Sequence, residues 1–182
     1  MNNSQYAGID AQCLRIFLHT NTHNESRYIN DNERMICMIT VKPLNIKDIN
    51  EIRKMDNLSG FNVAQWAEDM DENNDYSWGI YDDNILMGYC TIGYADDVYY
   101  IIEQHPLYSC DDYLLSDVYM KPEYRHQNFG LKLITETIQK RFALEAKHPV
   151  FLEVMYDDLK NFYAKAGFTT INDTECMIYI PE

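Results

Sequence analysis

The chain has few glycines, few prolines and few positive charges, and each shortage excludes a class of protein. With 7 Gly and 5 Pro in 182 residues, the sequence is neither collagen-like nor a disordered Pro/Gly-rich chain. Lys and Arg number 15 against 29 Asp and Glu, so the formal net charge is −14. This balance argues against a nucleic-acid binder and against docking on anionic lipid. It favours a cationic small molecule or a basic peptide as partner, although an acidic surface also serves solubility alone.

Cysteine spacing and apolar runs exclude further classes. The cysteines are five, an odd number, and no two stand in C-x-x-C spacing. We therefore expect no disulfide scaffold and no zinc site, and His19 and His23 lack the glutamate of a metalloprotease motif. No apolar run approaches the ~20 residues that cross a bilayer, and the first residues lack a secretory pattern. The sequence predicts a cytoplasmic protein with reduced thiols and no metal.

Two regions of different composition divide the chain. Residues 1–34 are polar and form an N-terminal extension, for which a disordered arm and a partner-docking arm remain open alternatives. Residues 35–182 carry alternating strand and helix patterns. The predicted order is a strand, two helices, a hairpin turning at 82–84, a strand over 113–120, a helix over 131–146, a strand, a helix over 158–166 and two final strands. Hairpins followed by strand–helix–strand units predict an α+β, mixed-sheet domain.

The segment from Met120 to Leu131 is the part of the sequence that predicts chemistry. A strand ends before Pro122, a turn follows, and a helix begins near Asn128. The first amides of a helix lack intrahelical acceptors and carry partial positive charge, so such a turn can hold a phosphate or a diphosphate. Gly130 lets a ligand approach the chain closely. Taken alone this is a weak indication, because many strand–turn–helix junctions bind nothing.

Two motifs resemble those of the GNAT superfamily of N-acetyltransferases. The run 118–125 and the spacing Arg125-x-x-Asn128-x-Gly130 resemble its acetyl-CoA signature, Arg/Gln-x-x-Gly-x-Gly/Ala after a strand. The run 161–168, NFYAKAGF, is similar to the family's Phe-Tyr-x-Lys-x-Gly-Phe motif. The resemblance covers residues 35–182. It implies a GNAT-like mixed, mostly antiparallel central sheet flanked by about four helices. It also implies an acetyl-CoA-dependent N-acetyltransferase that works by direct transfer.

The resemblance also implies roles for single residues. Val118, Tyr119 and Met120 would offer backbone groups to the pantetheine arm and the acetyl carbonyl. The diphosphate would lie on the turn and helix start, formed by Arg125, His126, Gln127, Asn128, Phe129, Gly130 and Leu131. Tyr163 would be the general acid that protonates the departing CoA thiolate, since a phenol with a pKa near ~10 stays protonated beside a thiol near ~8.5. The alternative for Tyr163 is an ordinary buried helix residue.

Acetyl transfer also needs a neutral amine, and a carboxylate is the usual base for producing it. Glu153 and Asp117, on two strands that separate in this fold, are the candidates, with Glu103 as a third. The sequence does not choose among them, and each is also compatible with a solvated or structural role. The acceptor expected from the charge is a primary amine of a cationic small molecule or basic peptide. No nucleic-acid or membrane partner is expected, and a homodimer is left open.

The sequence departs from the family pattern at three positions. Asn128 stands for the first motif glycine, and Asn tolerates left-handed backbone angles better than other non-glycine residues. Gln127 replaces a basic residue, and Tyr156 replaces an Asn that often bonds the pantetheine arm. These departures keep an alternative function open, a non-catalytic acyl-CoA-binding regulatory or interaction module.

Overall fold

The structure, a computed structural model, describes residues 38–68, 76–95, 100–144 and 146–182. In these ranges seven strands form one sheet in the order β1-β2-β3-β4-β5-β7-β6. Neighbouring strands are antiparallel except β4 and β5, which are parallel. The strands are β1 (Ile39–Pro43), β2 (Ser77–Asp82), β3 (Ile85–Tyr94), β4 (Tyr113–Met120), β5 (Val150–Glu153), β6 (Thr169–Thr170) and β7 (Cys176–Tyr179). This sheet confirms the predicted α+β class and its mixed, mostly antiparallel character.

Five α-helices flank the sheet in the described part of the chain. They are α1 (Ile49–Ser59), α2 (Val63–Glu68), α3 (Tyr100–Glu103), α4 (Phe129–Leu144) and α5 (Lys160–Ala164). The short α3 lies where the sequence showed no clear pattern. The predicted extension, residues 1–34, lies outside the described residues. No described helix combines the length and the apolar character that a membrane span requires.

The helices divide between the two faces of the sheet, and the alternation of strand side chains shows which helix covers which face. On β4, Val118 packs in one cluster with Leu133 of α4. The next residue, Tyr119, packs in another cluster with Ile52 of α1 and Val63 of α2. We call these surfaces the α4 face and the α1 face. Side chains on neighbouring positions of a strand can therefore serve two separate sides of the domain.

The strand β5 follows the same alternation. Leu152 belongs to the α4 face together with Tyr163 of α5. Phe151 packs instead with Ile102 of α3, so α3 lies on the α1 face. Glu153, two residues after Phe151, is on the α1 face as well.

A β-bulge interrupts β4 at Asp117. Tyr89 of β3 lies opposite Tyr119 of β4, whereas Thr91 lies opposite Ser116, so one residue of β3 faces two residues of β4. Asp117 has a φ of 50°, in the left-handed region that side chains rarely adopt. The extra residue bends β4 and turns the Asp117 side chain out of the regular alternation.

Asp56 of α1 connects α1, α2 and the sheet through a buried carboxylate. The residue is 7% exposed. Its Oδ2 accepts a hydrogen bond from the Ala64 N–H at the start of α2, at 2.7 Å, and its Oδ1 accepts one from the Tyr89 hydroxyl, at 2.5 Å. The amide of Asn62, the residue just before α2, donates to the side chain of Gln65. Asp56 supplies the cap because the connection between the helices is short enough to fold α2 back onto α1.

We expect Asp56→Ala to lower the free energy of unfolding by about 2–4 kcal/mol. The change removes a helix cap and leaves the Tyr89 hydroxyl buried without its acceptor. Urea denaturation followed by circular dichroism measures the loss. Lys54→Ala is the control, because it removes an exposed ion pair with Glu51 on the same helix, and such pairs contribute less than about 1 kcal/mol. Equal losses in both variants would contradict the bridging role of Asp56.

Candidate active site

The centre of the site is the space that opens where β4 separates from β5. The two strands pair only at Tyr113 with Val150 and at Leu114 with Phe151. β4 then continues to Met120, beyond its last pairing with β5. Main-chain groups of a strand that loses its neighbour need other hydrogen-bond partners. The end of β4 is therefore prepared to pair with a ligand that enters between the strands.

A cavity of about 300 Å³ occupies this opening. The lining residues are Val118, Tyr119, Met120, Tyr124, Arg125, His126, Asn128, Gly130, Leu159, Phe162 and Lys165. Seven of the ten residues proposed from the sequence to hold a cofactor are among them. The other three, Gln127, Phe129 and Leu131, lie in the same turn and helix start without lining the cavity. The structure therefore brings the predicted cofactor residues together at one place.

The turn between β4 and α4 has the backbone shape of an anion site. His126 and Asn128 have φ values of 61° and 63°, and left-handed residues at alternate positions turn successive N–H groups toward a common side. The Lys132 N–H donates to the Asn128 carbonyl at 3.0 Å. Lys132 is thus the first helix residue whose N–H has an acceptor within the helix, and the amides of residues 129–131 have none there. The expectation that Asn128 takes the left-handed angles of a motif glycine is confirmed.

Two cationic side chains stand at the cavity wall. The Nε of Arg125 donates to the Met120 carbonyl at 2.9 Å, and its guanidinium lies 5.5 Å from the centre of the Tyr119 ring. Lys165, the residue just after α5, also lines the cavity. Gln127, which stands where the family has a basic residue, donates to a main-chain carbonyl of the turn instead. Positive charge is thus concentrated at this cavity in a chain with a net charge of −14.

Two glycines allow close packing around Met120. A Cβ at position 88 would lie 2.4 Å from the sulfur of Met120 and 2.4 Å from the carbonyl oxygen of Tyr119. A Cβ at position 130 would lie 3.3 Å from Cζ of Phe162 and 3.5 Å from Cγ of Met120. Gly88 was missed in the sequence analysis, although a glycine inside a strand pattern is a signal of close backbone approach. Gly130 keeps the start of α4 close to Phe162 of the cavity wall.

Tyr163 lies on the α4 face, directly behind the cavity wall. Its residue is 0% exposed, and its ring packs edge-on against Phe162 and Phe168 at centroid distances of 5.1 and 6.0 Å. The hydroxyl is buried and has no hydrogen-bond partner among the described residues. Burial, and to a smaller extent the neighbouring Cys90 thiol, raise the pKa of Tyr163 above its ordinary value. The hydroxyl is consequently protonated and free to donate.

The Asp117 carboxylate is held on the α1 face beside the opening. Its Oδ2 accepts hydrogen bonds from the hydroxyls of Thr91, at 2.9 Å, and Ser116, at 3.2 Å. Burial raises the pKa of Asp117, these two hydrogen bonds oppose the rise, and the charge of Asp56 adds to it. The net direction is upward, so Asp117 is a stronger base than an exposed aspartate.

Glu153 lies across the opening from this carboxylate. Leu114 of β4 pairs with Phe151 of β5. Ser116 and Glu153 each lie two residues further along their strands, so they are at the same height in the sheet. Asp117 and Glu153 therefore flank the opening on the same face. The Oε2 of Glu153 is buried and accepts no hydrogen bond from any residue that the structure describes.

Two other positions from the sequence analysis are solvent-exposed. Glu103, the third candidate base, is exposed on the short α3. Tyr156, where the family often has an Asn, follows β5 with an extended backbone and is 53% exposed. Neither residue lines the cavity, and the three residues proposed from the sequence as catalytic, Tyr163, Asp117 and Glu153, lie next to the cavity without lining it.

Sequence comparison identifies a family over most of this region. The model of the acetyltransferase (GNAT) family matches residues 46–168, which run from the 3₁₀ turn before α1 to the residue before β6. No curated protein sequence matches the chain.

Solved structures of N-acetyltransferases share the fold. Arabidopsis thaliana NAA60 in complex with acetyl-CoA is 16% identical, with 78% of this chain and 98% of that chain covered and a TM-score of 0.59. The PaiA N-acetyltransferase of Thermoplasma acidophilum in complex with coenzyme A is 18% identical, with coverages of 79% and 99% and a TM-score of 0.54. A spermidine N-acetyltransferase SpeG chimera from Vibrio cholerae and hSSAT is 16% identical, with coverages of 78% and 95% and a TM-score of 0.55. At these identities the likeness concerns the fold alone. The family match and the geometry of the opening together show that this chain belongs to the GNAT family of acetyltransferases.

Proposed function

We propose that this protein moves an acetyl group from acetyl-CoA to a primary amine of a cationic small molecule or a basic peptide. The amine attacks while both substrates are bound, without an acetylated enzyme. The observation that carries this proposal is the cavity at the β4–β5 opening, with the left-handed turn and the first amides of α4 at its wall. Acetyl-CoA would supply the acetyl group as a reactive thioester, and coenzyme A would leave as the thiol.

The end of β4 and the turn after it form the cofactor cradle in this proposal. The backbone of Val118, Tyr119 and Met120 pairs with the amides of the pantetheine arm in the manner of a strand, because β4 runs past its pairing with β5. The amides between Arg125 and Leu131 hold the diphosphate. Arg125 and Lys165, which both line the cavity, supply the positive charge that Gln127 lacks.

Tyr163 is the general acid of the proposed reaction. Its hydroxyl is buried, protonated and without a partner in the described part of the chain, so nothing competes for its proton. It donates to the sulfur that leaves as the acetyl group departs, and it protonates the thiolate. A backbone N–H at the end of β4, near Met120, stabilises the negative charge that develops on the carbonyl oxygen.

Asp117 and Glu153 act on the amine in two separate ways, proton removal and binding. Glu153 binds the incoming ammonium, since its buried Oε2 has no donor among the described residues. Asp117, directly or through one water, takes the proton that the amine must lose before attack. Its raised pKa suits this task better than that of an ordinary aspartate.

The charge of the site supports a cationic acceptor. Asp117, Glu153 and Asp56 all lie on the α1 face, the side from which the amine reaches the opening, and the chain carries a net charge of −14. Opposite charges raise the local concentration of a substrate and speed its association. One of the structurally similar proteins is a spermidine N-acetyltransferase, which is consistent with a polyamine as acceptor.

A panel of amines tests the acceptor class. We expect release of free thiol from acetyl-CoA with spermidine, an aminoglycoside or a basic peptide, and much less with glycine, glutamate or an acidic peptide. The kcat/KM for the cationic acceptors should fall as NaCl is raised, because salt screens the attraction. Turnover with neutral or acidic amines only would contradict a cationic acceptor.

Tyr163→Phe tests the general acid. We expect kcat to fall by about 10²-fold or more, the range of a lost proton transfer. The Kd of acetyl-CoA, measured by calorimetry, should change little, because in this proposal the end of β4 and the turn after it hold the cofactor. Tyr179→Phe is the matched control, since its ring lies 5.7 Å from that of Phe168 in the same aromatic cluster. A Tyr163→Phe enzyme with unchanged kcat would remove Tyr163 from the mechanism.

Three matched amide variants test the carboxylates. Asp117→Asn should lower kcat/KM by about 10²-fold at neutral pH. Because the base must be deprotonated, kcat/KM of the native enzyme should fall as the pH drops through a pKa above that of an ordinary aspartate, and Asp117→Asn should lose this dependence. Glu153→Gln should raise KM for the amine more than it lowers kcat. Glu103→Gln is the exposed control, and the assignment fails if only this variant is inactive.

A further inference from the structure

We propose that Thr91 is a positioning residue, whose hydroxyl, together with that of Ser116, holds Oδ2 of Asp117 and so presents Oδ1 to the opening between β4 and β5. The inference rests on the proposed function, in which Asp117 takes the proton of the amine. It assigns a role to a residue of β3 that carries no motif and that lies outside the cavity wall.

The hydrogen bonds form a closed group of three side chains. Oγ1 of Thr91 lies 2.9 Å from Oδ2 of Asp117 and 2.6 Å from Oγ of Ser116, and Oγ of Ser116 lies 3.2 Å from the same Oδ2. Each hydroxyl has one proton, so Thr91 donates to the carboxylate while Ser116 donates to Thr91 or to the carboxylate. All of these contacts fall on Oδ2. Oδ1 receives no hydrogen bond within the described residues and remains available for the amine.

The backbone explains why Asp117 needs this support. The bulge gives Asp117 a φ of 50° and takes its side chain out of the regular alternation of β4. Without the two hydroxyls, no hydrogen bond from the described residues would fix the orientation of this carboxylate. Thr91 lies directly opposite Ser116 in the strand register, and a β-branched side chain has few rotamers. The neighbouring strand therefore sets the direction of the Asp117 carboxylate.

Several other groups act on the charge of Asp117. Burial is the main cause that raises the pKa of Asp117, and the charge of Asp56 adds to it. Burial is also the main cause that raises the pKa of Tyr89 and Cys90 on β3, where Asp117 adds a smaller contribution. Glu153 lies across the opening on β5. Among these neighbours, the hydroxyls of Thr91 and Ser116 are the groups that favour the charged form of Asp117, because hydrogen bonds to a carboxylate lower its pKa. Removing the Thr91 hydroxyl should therefore raise the pKa of Asp117 further.

The test compares Thr91→Val, which keeps the shape and loses the hydroxyl, with Thr91→Ser, which keeps the hydroxyl. The titration of Asp117 is followed in the full chain by NMR of ¹³C-carboxyl-labelled aspartate, with Asp117→Asn to assign the signal. The acid limb of kcat/KM is measured with spermidine or the best amine of the panel. We expect Thr91→Val to move both midpoints up by about 0.5–1 pH unit, and Thr91→Ser to restore them.

Thr169→Val is the matched control. It is the same substitution on an exposed edge strand, where the hydroxyl contacts the Ile178 carbonyl at 3.4 Å, and it should move neither midpoint. Ser116→Ala should give a smaller shift in the same direction, which keeps the test informative if Thr91→Val does not fold.

The outcomes separate this inference from the proposed function. An Asp117 midpoint that is unchanged in both Thr91→Val and Ser116→Ala would overturn the positioning role. If the NMR midpoint of Asp117 shifts but the acid limb of kcat/KM does not, the hydrogen bond from Thr91 to Asp117 is supported. The same result would overturn the assignment of Asp117 as the base.

Discussion

The separation of β4 from β5 after Leu114 is the constraint on which the rest of the site depends. A parallel pair that stayed closed would use the hydrogen bonds of β4 within the sheet and leave no space for a ligand. Because the pair opens, the end of β4 lies free beside the turn that begins α4. Strand end, turn and helix start then offer main-chain groups to one cavity, and α5 closes the opposite side.

The same opening joins the two faces of the sheet. Tyr163 is buried on the α4 face, whereas Asp117 and Glu153 lie on the α1 face. In an intact sheet these groups would be separated by the backbone layer. In the proposed reaction, the leaving sulfur and the attacking amine would meet Tyr163 as proton donor and Asp117 as proton acceptor from opposite sides of this opening. Burial raises the pKa of both Tyr163 and Asp117, which keeps the donor protonated and makes the acceptor more basic.

The buried Asp56 and the partly buried Asp117 maintain the α1 face of this arrangement in different ways. Asp56 binds the start of α2 to Tyr89 and so holds the two helices against β3. Asp117 is held by the hydroxyls of Thr91 and Ser116 at a strained backbone position. Each carboxylate is stabilised by hydrogen-bond donors, as charge removed from water requires. The negative charge of Asp56 also reaches Asp117, so the scaffold contributes to the basicity of the site.

Local sequence patterns by themselves determined much of the fold and part of the site. The bounds of β4, the hairpin of β2 and β3 and the left-handed backbone of Asn128 all follow from neighbouring residues, because side-chain alternation, turn chemistry and allowed backbone angles act within a few positions. The turn before α4 is likewise predicted from its own local sequence motif. The helix α3 was missed because a four-residue helix carries too little periodicity to stand out.

Only the tertiary structure decided which distant residues meet. Thr91 lies 26 positions from Asp117, and Tyr89 lies 33 positions from Asp56, so no local pattern could pair them. The close approach of Gly88 to Met120 and the unpartnered hydroxyl of Tyr163 also depend on strand register and packing. Hydrogen bonds and burial between remote segments arise only when the sheet closes, and a shift of one residue in register would turn these side chains to the other face.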